Sequence, residues 1–146
     1  MNKRAGMPIL DLRCLMDLQY AAGFFDGEGC ILIGRTARSD RTTEYYLYVN
    51  VVNTDRSVLE AFQAQWDGRI YQTKGTHKTC WQWNCSRQGA ARFLREVRPY
   101  LLVKGEQADL GLAYYEETSC RPGYRLMPDE LAIREGYYLA LREAKR

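Results

Sequence analysis

Two acids set among glycines, Asp26-Gly27-Glu28-Gly29, close a run of small and apolar residues, Ala21-Ala22-Gly23-Phe24-Phe25. Carboxylates are hard oxygen donors that suit divalent cations such as Mg²⁺. An acid at a helix C-terminus sits where the dipole is negative and cations are favoured. The unpaired carbonyls of the last turn add further oxygen ligands. Glu28 and the Gly27 carbonyl are therefore candidate metal ligands. A smooth helix face lets a second backbone approach closely, which makes Ala22, Gly23 and Asp26 candidate contacts between two such helices. Two Glu28 carboxylates brought side by side would repel unless cations lay between them. Together they would supply oxygens that one chain lacks. Asp26 points elsewhere on the helix; capping or bracing the helix end is its expected role, and ligation the alternative. A buried helix ending at a glycine C-cap is the plainer reading of the same string.

The stretch Leu18-Gln19-Tyr20-Ala21-Ala22-Gly23-Phe24-Phe25-Asp26-Gly27-Glu28-Gly29 closely resembles the motif of the LAGLIDADG homing endonucleases. The consensus falls on Ala21 to Gly29, with Glu28 at the final acid. Two further strings stand in the family's order: Val51-Val52-Asn53-Thr54-Asp55 at a strand-to-helix turn, and Arg98-Pro99-Tyr100-Leu101-Leu102-Val103-Lys104 beyond a second hairpin. The resemblance covers roughly Leu15 to Tyr115. It implies an α+β fold with an αββαββα core, an antiparallel sheet forming a DNA-binding saddle, and added C-terminal helices. It also implies a site-specific double-strand DNA endonuclease that cuts a long pseudo-palindromic target by Mg²⁺-dependent hydrolysis; Mn²⁺ or Ca²⁺ also suits such a site. Such metals generate hydroxide, neutralise the attacked phosphate and stabilise the leaving 3′ oxygen. A single motif implies a homodimer.

The catalytic set implied is Glu28, Asn53 and Lys104. Lys104 would stabilise charge or polarise water near the scissile phosphate; a solvated lysine at a helix start is the alternative. Asn53 would orient the attacking water, or serve only as an N-cap. Arg56 and Ser57 follow on the same turn as secondary candidates. Glu28 departs from the Asp that many family members carry. Its extra methylene reaches farther, and an acid is retained, so activity is expected.

The elements that must position these residues follow from periodicity. Met1–Leu10 reads as a loose arm, and a helix is expected from about Asp11 to Asp26. Cys30–Arg38 and Tyr45–Val52 alternate as strands, with Ile31 and Ile33, then Leu47, Val49 and Val51, on one face. Asn53-Thr54-Asp55 opens a helix carrying Val58, Leu59, Phe62 and Trp66, closed by Gly68. Arg69–Thr73 and Thr79–Cys85 form a second hairpin across Lys74-Gly75-Thr76. Ser86 caps a helix with Phe93, Leu94 and Val97 inward, ended by Pro99. A helix from Glu106 to about Ser119 stops before Pro122-Gly123. Pro128-Asp129-Glu130 opens a last helix, whose face is Leu131, Tyr138 and Leu139.

Two hairpins and covering helices leave one sheet face open. Its expected DNA-binding residues are Thr36, Arg38, Tyr46, Tyr48, Asn50, Arg69, Tyr71, Thr73, Lys78 and Gln82, with Gly34 beside them. On the fourth strand either Gln82 and Asn84 or Trp81 and Trp83 face outward. A two-stranded ribbon fits the major groove, where all four base pairs are distinguishable.

The chain has 146 residues, 46% apolar and 27% charged, which suits one domain, 1–146, with 120–146 as a C-terminal helical extension. No apolar run spans a membrane. Net charge is only +3, so polyanion binding rests on local clusters such as Arg35, Arg38 and Arg41, or Arg69, Lys74 and Lys78. Five scattered cysteines without a C-x-x-C pair, and one histidine, argue against zinc and for reduced thiols inside a cell. Bacterial or phage cytoplasm and organelle fit equally. No intein junction or fused domain is visible, so a free-standing protein is expected, and the resemblance implies an intron-encoded one. The competing readings are a catalytically silent nucleic-acid binder on this scaffold, either an intron RNA maturase or a transcription regulator, and a module whose motif helix serves only dimerisation.

Overall fold

The computed structural model describes residues 16–37, 43–74, 78–118 and 126–146. Asp17 caps the first described helix, α1 (Leu18–Glu28), by accepting the N–H groups of Gln19 and Tyr20 at 2.7 and 3.2 Å. Such a cap satisfies donors that a first turn leaves orphaned. The chain is non-helical at Met16 and Asp17, so the helix bearing the two acids starts at Leu18, later than expected. Residues 1–15 lie outside the described ones. Gly29 ends α1. A Cβ there would stand 2.1 Å from the Phe25 ring, so glycine alone lets the chain turn into the sheet with Phe25 still in the core.

The order continues β1 (Gly29–Ala37), β2 (Thr43–Asn53), α2 (Arg56–Trp66), β3 (Arg69–Thr73), β4 (Cys80–Ser86), α3 (Arg87–Val97), a 3₁₀ turn (Arg98–Tyr100), α4 (Gly105–Glu117) and α5 (Pro128–Glu143). This is the expected α+β arrangement. The strands form one antiparallel sheet ordered β1-β2-β4-β3.

Strand alternation assigns the two faces. Ile31, Ile33, Leu47, Val49, Val51, Trp83 and Cys85 are buried under the helices. The fourth strand is thereby fixed: Trp81 and Trp83 turn to the helix side, and Gln82 and Asn84 to the open side. Trp83 is fully buried, and its indole N–H donates to the Asp67 carbonyl at 2.7 Å. That bond meets the need of a buried tryptophan for a polar partner. Phe93 of α3 stands edge-on to Phe25 and Trp66, with ring centroids 4.9 and 4.8 Å apart. Truncating such a residue to Ala would cost about 3–5 kcal/mol.

Two local expectations need correction. Ser86 occupies the N-cap of α3, yet its hydroxyl makes no capping bond, and Arg87 after it adopts φ 54°. On α5, Leu139 is exposed at 54%, while Leu141 is buried. The inward stripe instead runs through Leu131, Arg134, Tyr138 and Leu141, at helical spacing. Arg134 is buried because its guanidinium donates to the carbonyls of Glu130 and Thr118 at 3.1 and 2.7 Å, tying α5 to the end of α4.

Candidate nuclease centre and DNA interface

The C-terminal tip of α1 gathers residues distant in sequence. The Asp26 carboxylate accepts the main-chain N–H of Leu102 at 2.7 Å and that of Lys104 at 3.0 Å. The Lys104 ammonium donates back to the Asp26 carbonyl. A helix C-terminus presents unpaired carbonyls and negative dipole, which explains why a lysine settles there. Leading into this loop, Arg98 grips Asp109 with two hydrogen bonds of 2.6 and 2.9 Å. That hydrogen bonding holds the Asp109 carboxyl below its ordinary range. Lys104 is thus fixed from both sides.

Glu28 stands exposed at the same tip and makes no ion pair among the described residues. Gly27 and Gly23 are exposed on one side of α1, and a Cβ on either would meet nothing within 4 Å. With Tyr20 they form the outward strip of the helix. Ala22, expected on that strip, is fully buried in the chain's own core beside Ala21 and Phe25. It therefore offers nothing to a second copy. Asp26, expected in the same contact, has both carboxylate oxygens engaged with its own chain.

Asn53 ends β2, directly opposite Trp81. Its side-chain oxygen accepts the N–H of Asp55 at 2.8 Å. Asp55, not Asn53, is the N-cap of α2, accepting from Ser57 N at 2.9 Å. Bonding to the Ser57 hydroxyl and N–H lowers the Asp55 pKa. Arg56 is taken up in stacking on Trp81, 4.5 Å from the ring centre, and in a pair with Glu60. Gly29 is opposite Val51 in the β1–β2 ladder, so the tip of α1 and the end of β2 lie at the same end of the sheet. Among the described residues no group of three His, Cys, Asp or Glu side chains is arranged to hold a metal. One chain offers a single free carboxylate at this tip.

The open face carries a cross-strand row of Cys30, Asn50, Asn84 and Arg69, and a second of Val52, Gln82 and Tyr71. Thr36 and Tyr46 lie toward the far end of the β1–β2 ladder, Tyr48 between, and Thr73 pairs with Cys80 at the end of β3. Lys78 is exposed just before β4. Arg38 lies outside the described residues. Tyr46 stacks on Tyr48, centroids 5.4 Å apart. Burial, with Tyr46, Cys30 and Tyr71 nearby, raises the Tyr48 pKa.

Periodicity alone missed two residues here. Arg87 reaches over Tyr46, 5.1 Å from its ring centre, and pairs with Glu44 at 2.7 Å. Its signal was a basic residue at a strand-to-helix junction. Lys145, beyond α5, places its ammonium 3.4 Å from Cys30 Sγ, and no local pattern announces that contact.

A family model described as LAGLIDADG endonuclease matches residues 21–110. No curated protein sequence matches the chain. Among solved structures, the homing endonuclease I-CvuI, in complex with the I-CreI target in the presence of Mg and with DNA not cleaved, is 19% identical with a TM-score of 0.73, over 91% of this chain and 84% of that one. I-CvuI was also solved on its own target with Ca. The archaeal intron-encoded homing endonuclease I-Vdi141I, complexed with DNA, is 19% identical at TM-score 0.73, over 87% of this chain and 82% of that one. Meganuclease I-SmaMI, bound to uncleavable DNA, is 13% identical at TM-score 0.69; this chain covers 86% of itself and 45% of that one. At these identities the likeness establishes the fold.

Proposed function

The chain belongs to the LAGLIDADG endonuclease family, and from that premise we propose that it is a homodimeric, Mg²⁺-dependent, site-specific double-strand DNA endonuclease, acting inside a cell as a single domain. The observation that carries this reading is that Asp26 holds the Leu102–Lys104 loop, 76 residues on in sequence, against the tip of the helix that ends in Glu28.

Gly23 and Gly27 pack against the same strip of a second copy. Two α1 tips then stand together, and two Glu28 carboxylates with the Gly27 carbonyls supply hard oxygen donors. The donor set fits Mg²⁺, which when bound activates water and neutralises phosphate charge. Lys104, fixed by its bond to the Asp26 carbonyl, adds positive charge beside the phosphate. Asn53 keeps its amide N–H₂ for water or phosphate, its oxygen being held by Asp55. The open sheet face lies in the major groove, with Asn50, Asn84, Gln82, Arg69 and Tyr71 toward base edges and Lys78 and Arg87 toward phosphates.

The test is cleavage of a randomised duplex library with Mg²⁺, sequencing the cut ends, with Glu28→Gln in parallel. Discrete, two-fold related sites cut by the wild type and only bound by Glu28→Gln support the reading. Retention of particular sequences by both, with no cutting, overturns it in favour of a binder on the same scaffold.

A further inference from the structure

The β1–β2 ladder runs beyond the apolar core. Its last inward-facing buried pair is Ile33 and Leu47. Past that point Arg35, Thr36 and Ala37 are exposed, and β1 is an edge strand of the sheet. Beyond it only the partly buried Tyr45 still packs on the core, and a strand pair with so little apolar face is marginal in water. Something else must hold this end.

Beside the Arg87–Glu44 pair on β2, a carboxylate on α5 joins the two strands there. Arg35 and Tyr45 are directly opposite partners in the ladder. Glu135 Oε1 accepts from Arg35 Nη1 at 2.7 Å, and Oε2 accepts from the Tyr45 hydroxyl at 2.5 Å. One side chain thus bridges both strands at the same rung. The Arg35 guanidinium also lies over the Tyr138 ring, 4.7 Å from its centre, one helical turn along α5. Arg142 covers Tyr138 in turn, at 5.6 Å. Hydrogen bonds that keep Glu135 ionised, from Tyr45 first and then Arg35, lower its pKa.

The rung that Glu135 grips is flanked on the opposite face by Thr36 and Tyr46. Strand alternation therefore sets the gripped residues and the outward residues back to back. We propose that Glu135 is a positioning residue for DNA recognition: by clamping the Arg35–Tyr45 rung from α5, it fixes the angle at which the far end of the β1–β2 ladder meets the bases. The clamp rests on the proposed DNA-cutting function for its consequence, but not for its existence. It predicts that selectivity at one block of base pairs is controlled by a residue on the face of the sheet turned away from DNA.

Two measurements on the full-length chain separate these levels. Amide hydrogen exchange on Glu135→Ala, without DNA, should show protection of residues 34–36 and 44–46 falling roughly tenfold or more, with β4 and α3 unchanged; the estimate follows from losing hydrogen bonds to a charged group. Unchanged protection at these residues overturns the clamp. Binding is then measured on targets carrying each single base-pair change. With a clamp, Glu135→Ala loses about tenfold of its discrimination at one contiguous outer block in each half-site and keeps it elsewhere, with Glu135→Gln intermediate. A uniform loss over all positions, or an unaltered profile, overturns the positioning role. If the wild type shows no sequence preference, the DNA reading fails, and the exchange result still reports on the clamp alone.

Discussion

Lys104 and Asp26 are cross-bonded: the lysine N–H donates to the aspartate carboxylate at 3.0 Å while the lysine ammonium donates to the aspartate's own main-chain carbonyl. The loop and the helix tip therefore move as one piece. Asp26→Ala should lower stability by about 2 kcal/mol, the worth of hydrogen bonds to a charged acceptor. Urea unfolding should show a reduced midpoint with unchanged slope. Cleavage should fall further than stability, because Lys104 loses its fixed position; equal losses would make the brace purely structural.

Glu28 presents the opposite case. It is exposed and unpaired among the described residues, so Glu28→Gln should shift stability by no more than about 0.5 kcal/mol. Its cleavage rate should drop roughly a thousandfold or more, with DNA affinity retained. A thermal melt and a single-turnover cleavage assay on the same preparation check both halves.

Gly23 and Gly27 have open space around them within one chain. Gly23→Leu and Gly27→Leu should leave the circular dichroism spectrum intact and yield monomers by sedimentation. Gly29→Ala should instead fail to fold properly, since the new Cβ would overlap the Phe25 ring. Dimers persisting in both leucine variants would place the subunit contact elsewhere.

Tyr45 carries a pH signature. Burial, then its bond to Glu135, pushes its phenol up to about 12 from an ordinary 10.0. A pKa raised on folding stabilises the native state below the unfolded value, and that stability is lost as pH rises from 10 toward 12. Phenolate absorbance in the wild type should show a late-titrating tyrosine that Tyr45→Phe removes.

The helix-and-strand order is legible because apolar alternation agrees with burial in the central parts of β1 and β2. Ile31 and Ile33, and Leu47, Val49 and Val51, were readable as inward residues from spacing alone. The fourth strand was not, because Trp81-Gln82-Trp83-Asn84 puts large aromatic residues on one parity and amides on the other, and each pair suits either surface. Only pairing with Val51 and packing on Phe93 fixes Trp83 inward. Ala22 was misjudged because a small residue serves a tight core and a tight interface equally well. The partners of Asp26 and Glu135 lie 76 and 100 residues away, beyond the reach of any local pattern.

Tyr46 lies flat against Gly34, where any Cβ would stand 2.5 Å from its ring. Position 34 is therefore not an independent letter of the outward surface. Placing a longer side chain there evicts Tyr46, which in turn abandons its stack on Tyr48 and its cover by Arg87. Changes at 34, 46, 48 and 87 will combine non-additively. Under the proposed DNA-reading role, single substitutions accumulated on this surface should stall at that quartet, and joint redesign of the four is the expected route to new sequences.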